Sequence, residues 1–552
     1  MRAALFTVVL AAAAPAGATP VTILGTNDWH GRIERLAAYA GHIAIVRAEA
    51  KKIGSAVVVV DAGDMFQGTL ESNLVEGKSV VQAFNALGMD AVAIGNHEFD
   101  FGPAGALSIP SSAKDDARGA LKARAKEANF PFLAANLIDD VTGKAVAWPN
   151  VKPSHLVHAG GGVKVGIIGV TTKDTAFTTS SANFKGLRTA SLRETIASEA
   201  HALRQRGAHV IVVAAHAGGK CDKTDNPTDT SSCTLDDEAF QLAHSLPAGL
   251  VDVIVAGHTH ATVAHIVNGI PVIESWSNGR GFGRVDLEVN LKGKDHTAKL
   301  VKIHQPQKLC VDDDAPTCTP GEYLGQTVHI DQRIAAATAP YLADAERLKS
   351  KKLGVTITRE VKRGYEGESA LGNLFADLML EASPGADVAL MNGGGIRANL
   401  PAGELSYGDV FLMMPFDNRF AKVTATGADL RHWLASNLSA RKGGILSVAG
   451  VTVDVTCEGK KATVVLKRSN GSVIGDAEQL VISTSDFLAS GGEATKLPPG
   501  SVVMDPPDWS NQPIREELVR LLGKRGGTLD GEGVALFDPA HKRLTPGRCP
   551  TP

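Results

Sequence analysis

Between Val21 and about Val301 the chain repeats one pattern: a short apolar run, then glycine or polar residues, with stretches of helix-like spacing between several of the runs. That alternation predicts layered α/β structure. Five of the runs end alike. Val21 to Leu24 leads into Gly25-Thr26-Asn27-Asp28-Trp29-His30-Gly31, Ala56 to Val60 into Asp61-Ala62-Gly63-Asp64, and Ala91 to Ile94 into Gly95-Asn96-His97-Glu98-Phe99-Asp100. Val210 to Ala215 stops at His216, and Val251 to Ala256 stops at Gly257-His258-Thr259-His260.

Ligands of open α/β sheets gather beyond the carboxyl ends of the strands, so five segments far apart in sequence can converge on one point. The candidates delivered there are Asp28, His30, Asp64, Asn96, His216, His258 and His260. Carboxylate, amide oxygen and imidazole suit hard or borderline divalent ions. Seven such donors exceed the needs of one tetrahedral ion and suit two ions that share a carboxylate. A histidine taken singly reads as a packed or surface residue. The chain has 17, and His42, His158, His201 and His244 receive no role. The joint occurrence at strand ends carries the metal reading.

With 552 residues, 44% hydrophobic and 21% charged, the chain exceeds what one core accommodates, and two large domains are expected. A formal net charge of -3 and no long Lys/Arg run give no footprint for a nucleic acid polymer or an anionic membrane, while a small anionic ligand needs only local charge. Residues 1–18 read as a secretory signal: Arg2, an apolar stretch from Ala3 to Ala14, and Ala16-Gly17-Ala18 before Thr19. That stretch is shorter than the roughly 20 residues of a membrane span, no similar one follows, and no cysteine at the cleavage site or apolar tail offers a lipid anchor. Periplasmic or secreted export without a membrane anchor is expected. Cys221, Cys233, Cys310, Cys318, Cys457 and Cys549 fit an oxidising compartment as disulfides, and proximity along the chain pairs them in that order.

After Val301 the character changes. A loop with the Asp312-Asp313-Asp314 run, read as solvated surface, precedes a helical stretch from Ile334 to Lys352. A second α/β region follows. Ser369 starts a helix, and the apolar run Ala386 to Met391 ends in Asn392-Gly393-Gly394-Gly395-Ile396-Arg397, where glycines admit a ligand close to the backbone and Arg397 can grip an anion. No Gly-x-Ser-x-Gly elbow supports a covalent serine mechanism.

The five strand-end motifs resemble the successive motifs of the calcineurin-like metallophosphoesterases, and their longer forms, through Asp64-Met65-Phe66-Gln67-Gly68-Thr69 and Asn96-His97-Glu98-Phe99-Asp100, resemble the 5'-nucleotidase family. The resemblance runs over nearly all of the mature chain. It implies a four-layer α/β-β-α catalytic domain at 19–301, a linker loop and helix at 302–352, and an α/β nucleotide-binding domain at 353–552, able to rotate against the first. It assigns Asp28, His30 and His260 to one divalent ion, Asn96, His216 and His258 to another, and Asp64 to both, the ions being Zn, Mn, Co or Fe. His97, oriented by Asp100, becomes the group that stabilises the transition state.

Met414-Pro415-Phe416 and the segment Thr484 to Glu493 resemble the family's specificity segments, in which two aromatics, here Phe416 and Phe487, sandwich a nucleobase. Asn392, Gly394 and Arg397 then contact substrate. Two positions depart: Glu493 stands where relatives have the aspartate that meets the ribose, and Tyr365, with Arg363 two residues earlier, stands in place of a substrate-binding arginine. The implied activity is 5'-nucleotidase. UDP-sugar or dinucleotide hydrolysis, 2',3'-cyclic nucleotide phosphodiesterase with 3'-nucleotidase activity, and a nucleotide-capturing binding protein are the alternatives.

Overall fold

A computed structural model describes residues 18–549 apart from 106, 111, 292–297, 314–316, 441–443, 460, 493–501 and 505–511, with 502–504 described as backbone only. The signal-like residues 1–17, Asp314 and Glu493 therefore lie outside the described residues.

The apolar runs become strands buried on both faces. In the first sheet β1 (Ala18–Thr26), β2 (Ala56–Asp61), β3 (Ala91–Ala93), β4 (Phe132–Leu133) and β5 (Val151–Lys152) lie parallel in that order. The second sheet has the order β10-β11-β9-β8-β7-β6, from β6 (Ser154–Gly160), β7 (Val163–Thr171), β8 (Val210–His216), β9 (Val253–Ala256), β10 (Thr262–Val267) and β11 (Ile270–Ser275). Strand β12 (Gly281–Asn290) returns beside β1, antiparallel, with β13 (Ala298–Ile303) at the edge.

The two-residue period of a strand divides each run between two cores. Val21, Ile23, Val58 and Val60 meet Ile167, Val210, Val212 and Val253 between the sheets. Leu24, Val59 and Val92 face outward onto α1 (Leu36–Ile53) and α2 (Lys78–Leu87), while Ile211, Val213 and Ile254 face α3 (Leu192–Gln205) and α4 (Glu238–Ser245). The result is a four-layer α/β-β-α domain. Each such aliphatic contributes about 1.5–3 kcal/mol by burial, so a charge at Val212, in the dry layer between the sheets, breaks the sandwich.

The stretch after Val301, expected as a loop, builds onto the first domain. Gln307–Lys308 adds an eighth strand beside β12, and Leu309, Tyr323 and Val328 enter the core under α1. The carbonyl of His329 lies where a Cβ on Gly41 would be, 2.1 Å away, so only glycine in α1 lets this segment dock. Helix α5 (Gln332–Lys349) begins at Asp331, whose carboxylate caps the Arg333 and Ile334 N–H groups, two residues earlier than the apolar spacing indicates. It packs on α1 and α2 of the first domain and on α7 (Tyr407–Met413) of the second.

In the second domain β14 (Lys352–Ile357) and α6 (Ala370–Glu381), capped by Ser369, precede the central β15 (Val388–Asn392). Its five-stranded sheet has the order β17-β15-β18-β16 followed by 502–504, from β16 (Phe420–Thr426), β17 (Leu446–Ala449) and β18 (Gln479–Ser485). Helix α6 covers one face and α8 (Gly427–Ser439) the other; α8 starts with a capping box in which Thr426 and Asp429 exchange side-chain-to-backbone bonds. The disulfides are Cys221–Cys233, Cys310–Cys318 and Cys457–Cys549, the pairs that proximity indicates.

Candidate metal centre and substrate cavity

Every metal-ligand candidate sits at or just past a strand end: Asp28 and His30 after β1, Asp64 after β2, Asn96 after β3, His216 at the last residue of β8, and His258 and His260 after β9. Asp28, His30, Asp64, His258 and His260 have φ of 51°, 49°, 58°, 84° and 58°, the left-handed region that side chains avoid. Such conformations persist where the surroundings impose them. Here the loop after β1 is laced to the loop after β2: the Asp28, His30 and Gly31 amides donate to the carbonyls of Gly63, Asp64 and Met65 at 2.9, 3.0 and 2.8 Å.

Two buried carboxylates complete the scaffold. Glu98, named in its motif without a role, accepts the amides of Asp64, Met65 and Gly95 at 2.9, 2.7 and 2.6 Å. Glu274 escapes sequence reasoning altogether, because it lies mid-run in β11. It accepts the Thr259 hydroxyl at 2.7 Å and the amides of Ala261 and Gly219 at 3.3 and 3.0 Å, joining the loops after β8 and β9.

These ties draw the donors into two clusters. The ligand atoms of Asp28, His30 and His260 lie within 4.8 Å of one another, as do those of Asp64, His216 and His258. His216 bonds the Ala62 carbonyl through Nδ1, which orients the ring and turns Nε2 toward Asn96 Oδ1 at 2.9 Å and Asp64 Oδ2 at 3.1 Å. His30 likewise uses Nδ1 on the Gln67 carbonyl and sets Nε2 2.9 Å from His260 Nε2, while the buried Asp28 Oδ1 has no hydrogen-bond partner. These atoms converge on a place for positive charge: burial disfavours a proton on His216, yet Asp64 outweighs it and raises the imidazole to about 10, and a metal ion would take the place of that proton. Burial, with neighbouring imidazoles, pushes His30 and His258 down to about 3, so both are neutral donors. Burial opposes charge on Asp28 too, but His260 outweighs it and holds the carboxyl at about 2. Neutral imidazoles beside ionised carboxylates and an amide oxygen fit two divalent ions.

Asn96 owes its orientation to a carbonyl: Nδ2 donates to Thr178 at 3.0 Å, which leaves Oδ1 for the cluster. Beside it His97 Nδ1 lies 2.6 Å from Asp100 Oδ2, and the Thr179 hydroxyl donates to Asp100 Oδ1 at 2.7 Å. Burial disfavours charge on His97, yet Asp100 and Asp64 together raise its imidazole above the usual value. Thr179, 79 residues from Asp100 and of an ordinary residue type, gives no sequence signal.

One cavity of about 1240 Å³ joins the domains. Asp64, Asn96, His97, Asp100, His258 and His260 line it from the first domain; Asn392, Gly394, Arg397, Phe416 and Phe487 line it from the second. The Phe416 ring stacks against His97 at 6.0 Å between centroids and carries the Arg397 guanidinium at 5.5 Å. Tyr365 is on the wall. Arg363 instead supports the glycine loop, donating to the Ile396 carbonyl at 2.8 Å. Phe177, 43% exposed on the turn beside Thr178, also faces the cavity and was not anticipated.

The calcineurin-like phosphoesterase family model matches residues 21–262, and that of the 5'-nucleotidase C-terminal domain matches residues 346–497. The chain is 27% identical over 514 residues to Protein UshA of Escherichia coli, covering 86% of each protein. It is 26% identical over 509 residues to a 5'-nucleotidase of Vibrio cholerae, covering 86% of this chain and 85% of that one. Endonuclease YhcR of Bacillus subtilis is 28% identical over 515 residues, 89% of this chain, and this chain spans 39% of that protein's length. A solved 5'-nucleotidase precursor from Thermus thermophilus shares the fold at 22% identity, with a TM-score of 0.67 over 92% of this chain and 97% of that one. With both domains matched in order and the candidate metal donors assembled at the strand ends of the first, the chain belongs to the 5'-nucleotidase family of calcineurin-like metallophosphoesterases and is a metal-dependent phosphohydrolase.

Proposed function

We propose that the protein releases phosphate from nucleoside 5'-monophosphates. The observation that carries this is the single cavity lined by Asp64, Asn96, His97, His258 and His260 from the first domain and by Asn392, Arg397, Phe416 and Phe487 from the second, groups suited to a phosphoryl end and to a base end. Asp28, His30 and His260 would hold one ion and Asn96, His216 and His258 a second, with Asp64 available to both; Zn, Mn, Co and Fe all suit these donors. When bound, the ions acidify water and polarise the phosphoryl group. His97, on which Asp100 favours the proton, offers a proton donor where charge builds on the departing ester oxygen. Arg397 binds the anion, Phe416 and Phe487 stack on the base, and Asn392 offers amide hydrogen bonds to it. Glu493 is assigned the ribose hydroxyls by sequence alone.

Three disulfides support export to the periplasm or the medium. Among the described residues no helix is long and apolar enough to cross a membrane.

The test is phosphate release from AMP with Mn or Co supplied and a chelator as control. Chelator-sensitive release is expected; silence on AMP with two ions bound overturns the reading. The cavity volume favours one second reading, hydrolysis of a UDP-sugar or dinucleotide, because about 1240 Å³ exceeds the roughly 300–1,000 Å³ of an ordinary small-molecule site. Running UDP-glucose, and 2',3'-cyclic AMP with a product assay, in parallel separates the hydrolases, and a chain that takes up no metal after supplementation is a binding protein.

A further inference from the structure

The ring of Phe416 is only partly buried, and it stands on a segment, Met414 to Asp417, that belongs to no helix or strand. Packing alone does not fix such a ring. Its backbone is held instead, carbonyl by carbonyl. Arg515 Nη1 donates to the carbonyls of Met414 at 3.2 Å and Phe416 at 3.1 Å, and Nη2 donates to Asp417 Oδ1 at 2.7 Å. The Pro415 carbonyl between them accepts Gln67 Nε2 and Asn73 Nδ2 from the first domain, both at 2.9 Å, and the Asp417 carbonyl accepts the Ser108 hydroxyl at 3.2 Å.

Arg515 sits at the start of α9 (Ile514–Arg525), 5% exposed, with its guanidinium 4.7 Å over the ring of Phe411 and its Nε on Glu516. A hydrophobic residue fills such a place at less desolvation cost, so a buried guanidinium here needs a reason. Its planar fork supplies one: it reaches two carbonyls and a carboxylate at fixed angles, which neither a lysine nor an aliphatic can do. We propose that Arg515 is a positioning residue for recognition of a planar heterocyclic base, acting through the backbone of Met414–Asp417 to stand the Phe416 ring in the cavity. This rests on the reading of Phe416 as a stacking residue. Gln67 and Asn73 add a hold on the intervening carbonyl from the first domain.

The test compares AMP with ribose 5-phosphate, the same ester without a base, on the Mn-loaded full chain. Arg515→Gln is expected to raise KM for AMP about tenfold, the order of one lost stacking contact, with kcat within about twofold and with kcat/KM for ribose 5-phosphate unchanged within about twofold. Arg515→Lys keeps the charge without the fork and is expected to show the same KM shift with a smaller loss of thermal stability. Phe416→Ala is the reference. If Phe416→Ala changes the AMP to ribose 5-phosphate ratio and the Arg515 variants do not, the positioning role is overturned and the stacking role stands. If Phe416→Ala leaves the ratio unchanged, the stacking reading fails and takes the inference with it. Equal losses on both substrates from Arg515→Gln mark a merely structural residue. Should that variant unfold, Asp417→Ala, which removes one arm of the grip at a partly exposed carboxylate, is read the same way, with about a threefold KM shift for AMP alone expected on the same stacking scale.

Discussion

Thr179 donates its hydroxyl to the one oxygen of Asp100 that His97 does not use, so a three-residue chain of hydrogen bonds ends on the imidazole in the cavity wall. Removing the last member, His97→Ala, is expected to lower turnover by about 10²–10⁴-fold with metal content unchanged at two ions. Thr179→Val frees Asp100 to rotate and is expected to lower kcat about tenfold at unchanged KM, with Thr179→Ser restoring it. Steady-state kinetics beside elemental analysis checks both, and loss of metal in either variant refutes the assigned role.

Glu274 holds two amides and a hydroxyl around the loops that carry His216, His258 and His260. Glu274→Ala removes the acceptor of the Gly219 and Ala261 amides, about 1–3 kcal/mol for each, while the Thr259 hydroxyl keeps the Gly219 carbonyl at 2.9 Å, and the variant is expected to weaken metal affinity about 10–100-fold, as loss of a supporting partner does. Metal titration followed by calorimetry reads this directly. An unchanged affinity separates the carboxylate from the site.

Asp286 on β12 shows how acid reaches the fold. Burial opposes its charge, but hydrogen bonds from His304 at 2.7 Å and Arg284 at 2.9 Å outweigh that and hold it at about 2, against an ordinary 3.8. A depressed carboxyl stabilises above its unfolded value and loses that contribution as pH falls through the folded one. Asp286→Asn is therefore expected to cost about 2 kcal/mol at pH 7, with the gap to the parent chain closing between pH 4 and pH 2. Denaturant unfolding across that range measures it, and a pH-independent gap counts against the linkage.

The disulfides differ in what they close. Cys457–Cys549 ties residues 92 apart and Cys221–Cys233 residues 12 apart. On chain entropy, replacing the first pair with serine costs about 4–5 kcal/mol and the second about 3. Denaturation of the two double variants tests the order, and a reversed ranking shows that native-state contacts dominate.

The metal-centre candidates were legible because dimetal chemistry demands particular donors at strand ends, and strand ends announce themselves by a switch from apolar to polar residues. Asp28, Asp64, Asn96 and His258 are read that way without any knowledge of the sheets. What holds them was not legible. Glu274, Thr179 and Arg515 reach the site across 15 to 101 residues of sequence, from positions whose residue types are common anywhere. The stretch after Val301 looked like linker because its apolar residues are sparse, yet Leu309, Tyr323 and Val328 find a core through tertiary contact that no local pattern encodes. Tyr365 reached the cavity wall as its position suggested, while Arg363, equally suited by charge, turned to the backbone of the glycine loop.

Five candidate ligand residues stand in left-handed backbone, three on the loops laced together after β1 and β2 and two on the loop after β9 that Glu274 ties, and they give the centre a shape that precedes its charge. A template of that kind accepts one divalent metal for another with little change of contour, since the carbonyl ladder and Glu274 already set where the donors stand. A shape that does not select leaves the inherent affinity order of the ions, which favours zinc over manganese, uncorrected. Which element works in the centre is decided by what the surroundings supply, and a chain matured in manganese and one matured in zinc are expected to differ in rate while superimposing in outline.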